Sequence, residues 1–268
     1  MFTSQHPLRQ RLHAFRQQRQ RQFRAFRLIR QLYQQSQVKQ VTAAPALIVA
    51  PHPDDETLGC GGLIALKCQQ GAGVKVVILT DGRASHANHP HLPTEQLVAI
   101  RQQEAAQALA ILGVPPEDLH FLNQPDQGTA TLPPEQHQAV LAQLVNLLQT
   151  FRPQEVYVTY RRDVHPDHEA TYRLIKAAIT QTQRPVDLYE YPIYTLWRPW
   201  LLDLKAEGIG TCQRISIHSV LRQKQQAIRV YRSQYQPIPP DQKAALPAGF
   251  IYRFMRPYEL FFKAEPES

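Results

Sequence analysis

Residues 46–62 read ALIVA-PHPDDET-LGCGG, an apolar run that gives way at once to a cluster of ionisable side chains. Five apolar residues, Ala46–Ala50, have the length and continuity of a strand buried on both faces. Directly after them an imidazole and three carboxylates leave the strand together: His52, Asp54, Asp55 and Glu56. Pro51 and Pro53 restrict the backbone on either side of His52, so His52 and Asp55, three apart, can converge on one ion at the mouth of a sheet. A simpler reading makes Asp54, Asp55 or Thr57 the cap of the next helix, with Glu56 at its positive end. Capping accounts for the acids and leaves the histidine unexplained. Three neighbouring acids without a basic partner repel one another, and a divalent cation relieves that repulsion.

Working outward, short apolar runs recur at Val74–Thr80, Leu119–Leu122, Val156–Tyr160 and Leu188–Tyr191. Helical patterns lie between them at about 57–71, 94–112, 134–151 and 168–181. This alternation predicts an α/β fold, a Rossmann-like three-layer sandwich with a mainly parallel sheet. Ligands bind such sheets outside the carboxyl ends of the strands, so the loops that follow strands are where chemistry belongs. Beyond residue 192, prolines interrupt a helix at about 219–235. The aromatic segments Phe250–Phe254 and Tyr258–Phe262 read as a final hairpin or strand pair.

A second loop, after the fourth core strand, reads YRRDVHPDHEA over residues 160–170. His165 and His168 again stand three apart beside Asp167, and the loop repeats the His-Pro-Asp start of the first. Two loops at one sheet edge meet in space although about a hundred residues separate them. Together they offer a His, Asp, His set, the ligand types of a catalytic zinc site with an open position. Asp163 or Asp167 could orient the histidines from behind, and Asp167 could equally cap the helix that starts there.

The two loops resemble the paired signatures of the PIG-L or LmbE-like family of zinc-dependent N-deacetylases. The resemblance covers about residues 46–181 and, less specifically, Lys224, Gln225 and Tyr231–Tyr235. It implies His52, Asp55 and His168 as metal ligands, one Zn2+ per chain, Asp54 as general base and His165 as partner of the oxyanion or leaving group. Fe2+ or another divalent ion suits the same donors. The implied substrate is a small N-acetylated sugar-type compound such as an N-acetylglucosamine conjugate. On the same resemblance Asp81 could bind a sugar hydroxyl and Arg83 a phosphate or carboxylate, although a plain turn fits them as well. Arg101 and Glu104 match a family position but also suit an intrahelical ion pair. His86, His89 and His91 read as rim residues. Arg161 and Arg162 depart from the family pattern and would favour an anionic group on the substrate.

Charge locates a second feature. Residues 1–40 hold eight arginines and Lys39 with no acid, a charge of +9, while the remainder carries 21 basic and 22 acidic residues. Leu8, Leu12, Phe15, Phe23, Phe26, Ile29 and Leu32 recur at helical spacing among them. Residues 1–41 are therefore expected as a basic amphipathic arm, and 42–268 as the catalytic domain. The arm could dock on the body or a partner subunit, or lie peripherally on a membrane; nucleic acid is not expected as its partner. No apolar run reaches bilayer length and no secretory pattern is visible, so a cytoplasmic protein is expected. Cys60, Cys68 and Cys212 are too few and scattered for a disulfide framework. Two rivals to a deacetylase remain: a metal-dependent phosphoesterase, which commonly uses two metals, and a non-enzymatic binding module.

Overall fold

The structure is a computed structural model and describes residues 20, 23, 25–199 and 212–264. One eight-stranded sheet runs through it, in the order β1-β7-β8-β6-β5-β2-β3-β4. The strands are β1 (Gln37–Val38), β2 (Ala46–Ala50), β3 (Val74–Thr80), β4 (Leu119–Gln124), β5 (Glu155–Thr159), β6 (Asp187–Tyr191), β7 (Cys212–Ser216) and β8 (Tyr258–Lys263). Strands β4, β3, β2, β5 and β6 are parallel neighbours, and β8 lies antiparallel between β6 and β7.

β2 shows why the sheet needs cover on both faces. Ala46, Ile48 and Ala50 enter one core cluster and Leu47 and Val49 the other, all fully buried. α2 (Asp55–Gln69), α3 (Thr94–Leu112) and α7 (Leu221–Ile228) pack together over the first face. α4 (Pro134–Phe151) and α5 (Pro166–Thr182) cover the second. The α/β sandwich expected from the alternation of strands and helices is therefore present. Gly59 and Gly62 let α2 lie close on the sheet: a Cβ at Gly59 would fall 2.2 Å from the Tyr191 ring, and one at Gly62 would fall 2.5 Å from Ile217.

The chain order reverses at β2, with β3 on one side and β5 on the other. Such a switch point leaves a crevice at the carboxyl edge. The loops after β2 and β5, which carry both His-Pro-Asp sequences, open into that crevice.

Three expectations need revision. Phe250–Phe254 is not a strand: Ile251–Arg253 is a 3-10 turn, and only β8 extends from the C-terminal aromatic segments. Phe250 and Phe254, four apart, meet at 5.4 Å and join Trp197, a contact that a helical turn makes and an extended chain does not. The helix expected at 219–235 breaks into α7 and the short α8 (Arg232–Tyr235). The break turns the Tyr231 hydroxyl onto Glu56. Finally, α2 begins at Asp55 rather than 57, drawing two acids of the motif into its first turn.

Of the arm, residues 1–19, 21, 22 and 24 lie outside the described residues. Residues 25–35 form the first helix, α1, with Leu32 in the first core cluster and Ile29 and Tyr33 packed against it. β1 then pairs with β7. This part of the chain lies on the body.

Candidate metal centre

The cluster begins where β2 ends. His52 and Asp55 bracket the turn into α2, and Asp55 Oδ2 accepts from the His52 backbone N–H at 3.2 Å. The same oxygen lies 3.1 Å from His52 Nδ1 and 3.3 Å from His168 Nε2, on the first turns of α5. These three side chains are buried and form a group able to hold a metal ion. Donors bound at about 2.0–2.1 Å around a tetrahedral ion stand about 3.3 Å apart, which matches both separations. His168 Nε2 is buried and makes no well-aligned hydrogen bond, its nearest acceptor being Asp55 Oδ2 at 3.3 Å. An ion between the two would give that nitrogen a well-directed partner.

A second set, His52, His165 and Asp167, is also close enough for a metal. Hydrogen bonding favours the first. His52 Nε2 already faces Asp126 Oδ1 at 3.1 Å and Asp167 Oδ2 at 3.2 Å. His168 Nδ1 is likewise held by Asp163 at 2.8 Å. In the first set each histidine thus keeps one nitrogen for the ion and turns the other to a carboxylate, the usual arrangement behind metal-bound imidazoles.

Asp163 and Asp167 are tied in from several sides. Asp163 accepts from the backbone N–H groups of Ile193, Tyr194 and Thr195 as well as the Thr195 hydroxyl. Asp167 accepts from the N–H groups of Gln127 and Thr129. It does not cap α5; His165 holds that position and accepts from the Asp167 N–H.

Asp54 is built differently. It precedes α2 with φ 142°, a conformation costly for a residue with a Cβ, and its side chain caps nothing. Its N–H is held by Glu56 Oε2 at 3.0 Å, and Glu56 Oε1 in turn accepts from Tyr231 and, at 2.7 Å, from Thr57. The Asp54 carboxylate faces the Arg101 guanidinium at 3.5 Å. Burial pushes its carboxyl up to about 8, opposed by Arg101 and reinforced by Asp55 and Glu56. Burial also disfavours charge on Asp55, but His168 and His52 outweigh it and hold that carboxyl far below the usual range. His168 is raised to about 9, Asp55 and Asp163 overcoming its desolvation. Burial and the two neighbouring histidines lower His165 to about 4.

Residues 47–179 match the GlcNAc-PI de-N-acetylase (PIG-L) family. The chain carries a PIG-L domain. It is 37% identical over 169 residues to 1D-myo-inositol 2-acetamido-2-deoxy-alpha-D-glucopyranoside deacetylase of Mycobacterium sp. (strain KMS), covering 55% of this chain and 54% of that one. It is 34% identical over 144 residues to probable N-acetyl-alpha-D-glucosaminyl L-malate deacetylase 2 of Bacillus anthracis, covering 52% and 62%. The chain thus spans little more than half the length of these relatives. Among solved structures, 4-carboxy-2-hydroxymuconate hydratase of Pseudomonas putida shares the fold, with a TM-score of 0.62 and 18% identity over 84% of this chain and 98% of that one. The architecture therefore serves more than one reaction, and the side chains must decide this one.

In the PIG-L domain His52, Asp54, Asp55 and His165 line one cavity of about 240 Å³, with His168 fully buried behind. Residues not singled out as binding groups in the sequence complete it. Asp126 and Gln127 come from the loop after β4, Ile193 and Tyr194 from the start of the short helix after β6, and Leu246 and Phe250 from the C-terminal segment. Asp126 had one readable signal, its place just past a strand at the carboxyl edge. Tyr194 and Phe250 had none. Arg101 lines the cavity and donates to the carbonyls of Pro53 and Gly82. The intrahelical pair with Glu104 is not made, since Glu104 accepts from Ser233.

Asp81, Arg83 and Arg161 are not among the residues lining the cavity. The buried Asp81 carboxylate receives the Arg83 guanidinium, and Arg161 pairs with Glu190. His89 meets the carbonyl of Ile238, joining the histidine loop to the proline-rich segment.

Proposed function

We propose that this chain is a metal-dependent N-deacetylase that hydrolyses the acetamide of an N-acetylglucosamine-type conjugate, with His52, Asp55 and His168 holding one Zn2+. The names of the two relatives support the reaction and substrate class. The observation that carries the reading is the Asp54 carboxylate, buried in the same cavity as the metal-binding set yet held apart from it by its own strained backbone and the Glu56 contact. A metal site with structure as its only purpose would leave such a carboxylate without a role.

A metal ion held by His52, Asp55 and His168 would supply Lewis acidity, lowering the pKa of water toward about 7 and polarising the amide carbonyl. Burial holds the Asp54 carboxyl up to about 8 in the metal-free protein, and a cation beside it would favour the ionised form, in which it takes the proton from the attacking water. His165 accepts the Asp167 N–H at Nδ1, so in its neutral form the ring carries its proton on Nε2. It is therefore a donor to the oxygen that gains charge as the carbonyl becomes tetrahedral. Keeping His165 neutral suits that task and leaves Asp54 to return its proton to the nitrogen as the C–N bond breaks. The products are acetate and the free amine. Arg101, beside Asp54, offers a cation to a sugar hydroxyl, and the Tyr194 and Phe250 rings give the sugar an apolar wall.

Metal content and amine release from N-acetylglucosamine conjugates test this in wild type and Asp54→Ala. The expected result is one metal per chain in both proteins, with amine release lowered by about 10²–10⁴ in the variant. Full activity in Asp54→Ala would sink the mechanism. Two metals per chain together with phosphoester cleavage would replace it by the phosphoesterase reading.

A further inference from the structure

A second concave feature, lined by none of the catalytic residues, lies between the helical residues 25–35 and the segment 253–258. It is a groove of about 290 Å³ lined by Phe26, Ile29, Tyr33, Leu196, Pro257 and Tyr258, with Arg30, Arg253 and Arg256 also on its walls. Phe26 on its wall is 60% exposed, and Phe23, one helical turn before it, and Tyr252, next to the lining Arg253, are 63% and 65% exposed. Such rings in water are unfavourable unless something covers them.

The charge around the groove has one sign. None of the ion pairs among the described residues includes Arg27, Arg30, Arg253 or Arg256. Arg253 lies 5.8 Å from the centroid of the Trp197 ring, and burial together with neighbouring Arg256 lowers its guanidinium from its ordinary value. Two cations crowded together beside an apolar trough call for a partner that is both apolar and anionic. An acidic peptide offers the charge alone. A phospholipid offers acyl chains for the trough and phosphates for the guanidinium groups.

We propose that this face docks peripherally on the surface of an anionic bilayer, with Phe23, Phe26 and Tyr252 entering the headgroup boundary and Arg27, Arg30, Arg253 and Arg256 meeting lipid phosphates. No helix among the described residues is long and apolar enough to cross a membrane. The groove shares a wall with the catalytic cavity: Leu196 lines the first, and Tyr194 on the same short helix, α6 (Tyr194–Trp197), lines the second. Docking here holds the bilayer next to the site.

The test is co-sedimentation of the full-length chain with phosphatidylcholine vesicles, with and without phosphatidylglycerol. Binding should require phosphatidylglycerol and weaken as salt is raised. Arg253→Glu/Arg256→Glu and, separately, Phe26→Ser should each lower partitioning at least about tenfold. Both should keep the wild-type melting temperature and amine release from a soluble conjugate; a variant that melts early is set aside and the other decides. Four results overturn the proposal. One is no binding to either vesicle, and another is undiminished binding of both folded variants, which would put the contact elsewhere on the chain. The third is competition by inorganic phosphate at equal ionic strength, marking a free-phosphate site. The last is a vesicle-free dimer abolished by Phe26→Ser, marking an interface between copies.

Discussion

The two ends of β5 hold buried charges of opposite design. At its start Glu155 sits between Lys39 at 3.0 Å and Lys67 at 2.6 Å, and Lys67 also donates to the carbonyls of Thr42 and Ala44. One carboxylate meets two ammonium groups, and these outweigh the burial that would otherwise raise its pKa. Past the other end, Asp54, Asp55, Asp126, Asp163 and Asp167 gather around His52 and His168, with Arg101 the fixed cation beside them. The first cluster is complete from the protein's own residues. The second gathers more carboxylates than cations, and His52, Asp55 and His168 in it turn three donor atoms toward one another, an arrangement suited to a cation from outside. The difference marks one end as structural and the other as chemical, in keeping with the rule that ligands bind where parallel strands end.

Four measurements break or sharpen this contrast. The largest effect is expected for Asp55→Ala: loss of the bound metal by elemental analysis and amine release below detection, because Asp55 bridges both histidines. A variant that keeps its metal would mean that the second set, with His165 and Asp167, holds the ion.

Metal affinity should rise with pH. In the metal-free protein His168 stays protonated up to about 9 and, against its burial, the carboxylates around His52 raise that imidazole well above its ordinary value, so the ion must displace a proton from each, whereas Asp55 is already ionised. Affinity measured by competitive titration should therefore climb by up to about a hundredfold per pH unit while both imidazoles are protonated. A flat profile would contradict the assignment of His168 as a ligand.

At the opposite end, Lys67→Met leaves Glu155 buried with one partner fewer. Denaturant unfolding should show a loss of about 3–5 kcal/mol, the usual cost of breaking a buried pair. Metal content and kcat should stay at wild type, since the residue lies at the far end of the sheet. A loss of activity in the folded variant would dissolve the distinction between the two ends.

Asp126→Asn should be milder than Asp55→Ala, weakening metal binding by about 10–100-fold with activity recoverable at high metal concentration. An unchanged affinity would show that Asp167 alone orients His52.

Which parts were readable in the sequence follows from how each contact is made. His52, Asp54 and Asp55 share one turn, and His165 and His168 share another, so their grouping needs only local backbone geometry. The meeting of the two turns follows from the strand alternation, because β2 and β5 must both end at the carboxyl edge. Asp126, Tyr194 and Phe250 reach the cavity from three further segments, none of which carries a ligand-like spacing. The substrate-binding roles given to Asp81, Arg83 and Arg161 had chain position behind them, but nearer ionic partners take up these side chains, Arg83 on Asp81 and Glu190 on Arg161. The expected C-terminal strand pair misread aromatic content, which β-strands and aromatic turns share.

By itself, the sequence determined the α/β class, the two His-Pro-Asp turns and the metal-ligating types within them, because periodicity and short-range spacing dictate these. Only the tertiary structure decided which nitrogen of each histidine faces the candidate ion, that Glu56 and Tyr231 hold Asp54 in its unfavourable backbone conformation, and that Arg101 lies beside it. Those choices depend on hydrogen bonds between groups up to about 175 residues apart, and no local pattern encodes such pairings.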